Sequence, residues 1–186
     1  MSKSLGTGID PMDYIDKFGA DATRFGIIWQ ASGQDIRWDE AAVMAGRKFS
    51  NKIWNASRFV LAQLENIELK NTELDKIPGA KTAADKKILS ALVKTKKQME
   101  KLITGFEFSP ALHDIYDFFW HELCDKYIEE AKKQVSDEKL KDNTRKILAY
   151  ALRESLKMLH PFMPFVTEAI YGLFPTKEGL LMTEKW

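Results

Sequence analysis

The chain reads as an all-α protein, an antiparallel helical bundle with a short N-terminal appendage of loop and helices. Two observations carry that expectation. Apolar residues recur at three- and four-residue intervals over long segments, and the two-residue alternation of strands is nearly absent. Glycine and proline fall mainly between those segments, where they end one helix and begin another.

Composition narrows the possibilities. At 186 residues the chain can bury one good core. Its net charge of +1 excludes a generic polyanion binder, so any nucleic-acid surface must come from local clustering. The lone cysteine, Cys124, excludes an internal disulfide and fits a reducing, cytoplasmic setting. No apolar run reaches the ~20 residues of a membrane span, and no membrane partner is expected.

Residues 1–9 mix hydroxyls, glycines and Lys3, the groups that can hold a polyphosphate, although such runs at a chain start are also common as plain tails. Asp10-Pro11 opens a helix over 11–18, and Gly19 closes it. Asp21 is a candidate cap for a second helix, to about Gln30. The polar run Ser32–Trp38 reads as a connection, with a domain boundary between 35 and 36. Asp39 caps a long helix to about Glu65, and Thr72–Thr82, with Pro78-Gly79, reads as a surface loop. Further helices are expected over 83–104, from Ser109-Pro110 to about Val135, from Asp137 to Leu159, and from Pro164 to near Phe174-Pro175.

The helix from Asp39 has two faces. Phe49, Ile53, Ala56, Val60 and Leu64 share one side, with Trp54 and Leu61 at its edge, and form a core face. The other side collects Arg47, Lys48, Asn51, Lys52, Asn55, Arg58 and Phe59. Aromatic rings stack single-stranded bases, Arg and Asn bond their edges, and Lys and Arg meet phosphates, so this face fits an RNA loop. The plainer alternative is a solvated basic face with Phe59 packed on a neighbouring helix.

Other candidates carry less. Lys81, Lys86, Lys87, Lys94, Lys96, Lys97 and Lys101 fit an RNA backbone or an ordinary solvated face. His113, Asp117 and His121 share a four-residue spacing but lack a fourth ligand, and no metal site is expected. Tyr116, Phe118, Phe119 and Trp120 read as core, as does Cys124.

Met1-Ser2-Lys3-Ser4-Leu5-Gly6 followed by Ile9-Asp10-Pro11 resembles the KMSKS signature of class I aminoacyl-tRNA synthetases, less its leading lysine. Asn51–Val60, Ser32–Arg37, His121–Glu129 and His160–Glu168 are similar to valyl-tRNA synthetases, in that family's order. Lys126 departs from the aromatic expected there. Trp54-Asn55-Ala56 and Gly33-Gln34-Asp35 favour the valyl over the isoleucyl branch.

The resemblance implies a C-terminal part of a valine–tRNA ligase, with residues 1–35 the loop and helical linker and 36–186 the anticodon-binding bundle. In the intact enzyme Lys3, Ser2 and Ser4 would act on ATP, with Mg, during valine activation. The partner would be tRNA(Val), read by Arg47, Lys48, Asn51, Lys52, Asn55, Arg58 and Phe59. The chain alone is expected to be a monomer that needs no cofactor and does not aminoacylate. The alternatives are an isoleucyl-type fragment and a non-catalytic helical module that binds a protein through the Phe59 face.

Overall fold

Three of the helices begin where a short polar side chain satisfies their first amides. In the computed structural model, which describes residues 8–31, 38–65, 74–175 and 179–186, Asp10 accepts from the Met12 amide at 2.9 Å and opens α1 (Pro11–Phe18). Gly19 ends α1 with a φ of 91°, in the region that favours glycine. Asp39 accepts from the Ala41 amide at 2.8 Å and opens α3 (Glu40–Leu64). A reciprocal cap between Thr82 and Asp85 opens α4 (Ala83–Thr104). Ser2, Lys3 and Ser4, residues 32–37 of the connection and the division between 35 and 36 lie outside the described residues.

The second helix departs from expectation. α2 (Ala20–Trp29) starts at Gly19, and Asp21 does not cap it. Its carboxylate instead accepts from the amides of Phe165 and Val166, far along the chain. α2 lies tightly on α3. A Cβ on Gly46 would fall 2.9 Å from the Ala22 carbonyl oxygen and from Phe25 Cβ, so that position admits only glycine without a shift.

The helix predicted from Ser109 to Val135 is continuous but not uniform. It runs as α5 (Phe108–Asp117), a π-helical stretch over Phe118–Ile128, and α6 (Glu129–Gln134). A π-helix bonds residues five apart, which brings Phe118, Phe119, Leu123, Cys124, Tyr127 and Ile128 onto one buried face. Sequence periodicity at 3.6 cannot register that change.

The next helix, α7 (Lys141–Leu159), starts four residues later than predicted, after a turn over 136–140. It is also not amphipathic. From Ile147 through Leu159 it is buried on every side, including Arg153, Glu154 and Lys157. These charges are paired: Arg153 with Asp75 at 2.9 Å and Glu184 at 2.6 Å, Glu154 with Lys96 at 2.5 Å and with Lys157. α7 is thus the axis of the bundle, packed against α3, α4, α5, α6, the π-helical stretch and α8 (Pro164–Tyr171). α8 ends three residues short of Phe174. No strand occurs among the described residues.

The sequence misjudged one further position and left another unremarked. Leu74, in the expected surface loop, is 2% exposed and joins the core. Asp85, one turn into α4, is fully buried and holds the amides of Lys81 and Thr82 and the hydroxyl of Tyr127, each at 3.0 Å. Burial and the Asp85 carboxylate together push the Tyr127 hydroxyl above its usual range. Tyr116, Phe118, Phe119 and Trp120 are core or packed on it, as the sequence indicated.

Candidate nucleic-acid interface

The outward face of α3 is a straight polar stripe. Arg47, Asn51, Asn55 and Arg58 follow at helical spacing, all exposed, over a rise of about 17 Å. Lys48 is exposed beside them. Lys48, Asn51, Asn55 and Arg58 make no hydrogen bond or ion pair to any described residue. Only Arg47 is engaged, donating to the Lys17 carbonyl at 3.4 Å. The stripe therefore presents free amides and guanidinium at a spacing set by the helix.

Lys52 and Phe59 sit differently. Lys52 is half-buried, 2.9 Å from Asp125 Oδ1 and 5.0 Å from the Trp120 ring centroid. That lysine's hydrogen bond, helped by one from His121, holds the Asp125 carboxyl below the usual carboxylate range despite some burial. Phe59 is half-buried against the core, with Lys132 Nζ 5.8 Å from its ring centroid. Both partners come from the 118–134 segment. A helical wheel of α3 cannot show a neighbour more than seventy residues away.

An aromatic seam fixes the core face of α3 beneath the stripe. Trp29, Phe25, Phe49, Tyr116 and Trp120 touch in sequence, with centroid separations from 4.6 to 5.7 Å. It runs from α2 through α3 to the π-helical stretch and ends under Lys52.

The stripe continues into a groove that sequence reasoning missed. Ala62 and Glu65 prolong the spacing of Asn55 and Arg58. There a cleft of about 410 Å³ opens between Arg58, Leu61 and Glu65 on one wall and Leu173 and Pro175 on the other. Leu173 is 56% exposed. The far wall follows α8, so only the α3 half was legible as a pattern.

The remaining candidates resolve simply. On α4, Lys86, Lys87, Lys94, Lys97 and Lys101 are exposed, whereas Lys96 is bound to Glu154, and Lys81 donates to the Lys139 carbonyl at 2.9 Å. His113 is bonded to the Ser109 carbonyl at 2.8 Å and stacked on Trp29 at 3.6 Å. His121 faces Asp125 at 3.2 Å. No group of three metal-ligating side chains occurs among the described residues. Cys124 is buried, and that burial pushes its thiol up to about 12. No described helix is long and apolar enough to cross a membrane.

Comparison with known proteins points the same way along the whole chain. Residues 85–186 match the anticodon-binding domain of tRNA ligases, and residues 1–39 match class I tRNA synthetases of the I, L, M and V group. Valine–tRNA ligase of Fervidobacterium nodosum is 43% identical over the full chain, and that of Bacillus cereus 46%. The chain spans 21% of the length of each of these curated relatives. Among solved structures, Agrobacterium radiobacter LeuRS in a ternary complex with tRNA and LeuAMS superimposes with a TM-score of 0.76 at 23% identity, covering 100% of this chain and 22% of that one. Mycobacterium tuberculosis methionyl-tRNA synthetase bound by methionyl-adenylate gives 0.68 at 21%, covering 94% and 36%. At those identities the structural likeness speaks for the fold alone. With one family model covering more than half of its residues, the chain belongs to the anticodon-binding domain family of tRNA ligases, and it is similar throughout its length to valine–tRNA ligases.

Proposed function

We propose that the chain is the tRNA-recognition part of a valine–tRNA ligase and binds the anticodon stem-loop of tRNA(Val). The observation that carries this reading is the exposed, unbonded run of Lys48, Asn51, Asn55 and Arg58 on one face of α3. Asn and Arg bond base edges, and Arg47 and Lys48 meet the phosphates that flank them. Phe59 offers its open edge to a base, and Lys52 reaches the backbone when Asp125 releases it. The identity to valine–tRNA ligases supports the choice of tRNA(Val) over tRNA(Ile).

In this reading residues 1–35 are the signature loop and linker, and residues 36–186 the anticodon-binding bundle. The whole ligase is a cytoplasmic monomer that uses ATP, with Mg, to activate valine. Lys3 stabilises charge on the ATP phosphates, and Ser2 and Ser4 hold the loop about them. This chain by itself binds tRNA without charging it.

Titration of the chain with labelled tRNA(Val) and with the same tRNA carrying a changed anticodon tests the proposal. Binding at least tenfold weaker to the changed tRNA is expected, with further loss in Asn55→Ala and Arg58→Ala. Equal binding to both tRNAs, or none to either, would sink it, and preference for tRNA(Ile) would move the assignment to the isoleucyl branch.

A further inference from the structure

The corner between α7 and α8 is held by two side chains of α2. α8 begins at Pro164, and its preceding residue, Met163, has no side-chain oxygen to receive the first free amides. Asp21 supplies the missing acceptor from 144 residues away. Its two carboxylate oxygens accept separately from the Phe165 amide at 3.1 Å and the Val166 amide at 2.7 Å. One turn further along α2, Arg24 donates to the carbonyls just beyond α7, 2.8 Å to Pro161 and 3.3 Å to Phe162. A carboxylate thus meets the amide-rich start of one helix, and a guanidinium the carbonyl-rich end of another.

This clamp joins two parts with separate family matches. Asp21 and Arg24 lie in the segment matching class I synthetases, residues 1–39, and their partners lie in the anticodon-binding segment, residues 85–186. The same α2 is locked to α3 without clearance. A Cβ on Gly26 would meet Val43 Cγ2 at 2.6 Å and the Val43 amide nitrogen at 2.9 Å, and Phe25 beside it is fully buried. Two paired bonds on each side of a corner fix an angle, where apolar packing alone would allow sliding. α1, α2, the α3 stripe and α8 therefore move as one piece.

We propose that Asp21 and Arg24 are positioning residues that set the angle between the N-terminal segment and the RNA stripe of α3. An RNA held on the stripe then meets the N-terminal segment in a single geometry. The role in charging rests on the function proposed above, but the mechanical claim does not.

The test has two arms. In this chain, nitroxide labels at Asp13→Cys and Lys133→Cys report the spread of distances between α1 and the far bundle; the buried Cys124 remains unlabelled. A narrow distribution is expected, at least doubled in width by Asp21→Ala or Arg24→Ala, with Asp21→Asn, which keeps one acceptor oxygen, in between. In the full-length ligase the same variants are expected to lose at least tenfold in kcat/KM for tRNA charging, with valine-dependent pyrophosphate exchange without tRNA within twofold of wild type. An unchanged width overturns the clamp. A broadened width with unchanged charging, or an equal loss of exchange, overturns its positioning role. A wild-type ligase that charges a different amino acid would sink the valine assignment, while the distance widths still judge the clamp.

Discussion

Lys52 Nζ lies 2.9 Å from Asp125 Oδ1, so the one lysine in the middle of the α3 stripe is already neutralised by the π-helical stretch. Replacing the carboxylate frees it. Asp125→Asn is expected to steepen the dependence of RNA affinity on salt by up to ~0.7 in log–log slope, the value of one more phosphate contact on a single strand. Both groups are partly exposed to solvent, so the pair itself stabilises the fold by only ~0.5 kcal/mol after solvent screening. The Asp125 carboxyl is held low, so this contribution is present above the ordinary carboxylate range near ~4 and is lost as pH falls below it. RNA titrations at several salt concentrations and urea unfolding at two pH values measure both effects.

Gly46→Ala should loosen α2 from α3. The added carbon meets backbone, the Ala22 carbonyl oxygen at 2.9 Å, which cannot turn aside. Overpacking of this kind costs ~1–3 kcal/mol, partly offset by the ~1 kcal/mol gained in helix propensity. A net loss of up to ~2 kcal/mol is expected in denaturant unfolding. A stabilised variant would show that the two helices are not seated as closely as described.

His160 gives the fold a dependence on mild acid. Its ring bonds Thr167 Oγ1 at 2.9 Å, and burial pulls its pKa below the ordinary value, against the opposing pull of Glu168 and Asp21. The unfolded chain therefore takes up the proton first. Stability is full above ~6.5 and falls as pH drops from there through the lowered folded value. His160→Gln should flatten the fall in thermal midpoint between pH 7 and pH 5; an unchanged slope would assign it to other groups.

Cys124 should resist alkylation in the folded protein. With its thiol pushed up to about 12 by burial, almost no thiolate exists at pH 8. Mass spectrometry after iodoacetamide treatment should find no adduct in buffer and complete modification in denaturant. Rapid labelling in buffer would mean that the π-helical stretch opens locally.

Much of the fold was legible because it rests on local rules. The caps at Asp10 and Asp39, the stop at Gly19 and the break at His160-Pro161 are each decided within four residues, and the structure keeps them. The core face of α3 from Phe49 to Leu64 also follows from spacing alone. Asp21 shows where locality ends. It has the chemistry of a cap and acts as one, but on α8 rather than on its own helix. The candidate stripe divides on the same principle. Asn51, Asn55 and Arg58 stay exposed as the helical period dictates, while Lys52 and Phe59 are claimed by residues from the 118–134 segment.

The sequence by itself determined the helical class, most helix ends and the polar face of α3, because periodicity and capping act over a few residues. The tertiary structure alone decided the π-helical register over Phe118–Ile128, the burial of α7 on every side, and the pairing of Arg153 with Glu184. It also decided the seat of α2 against both α3 and the α7–α8 corner. Each of these depends on which surfaces meet, and a hydrogen bond or ion pair between distant residues leaves no period in the chain. A carboxylate reads the same in sequence whether it faces water or closes a helix 144 residues away.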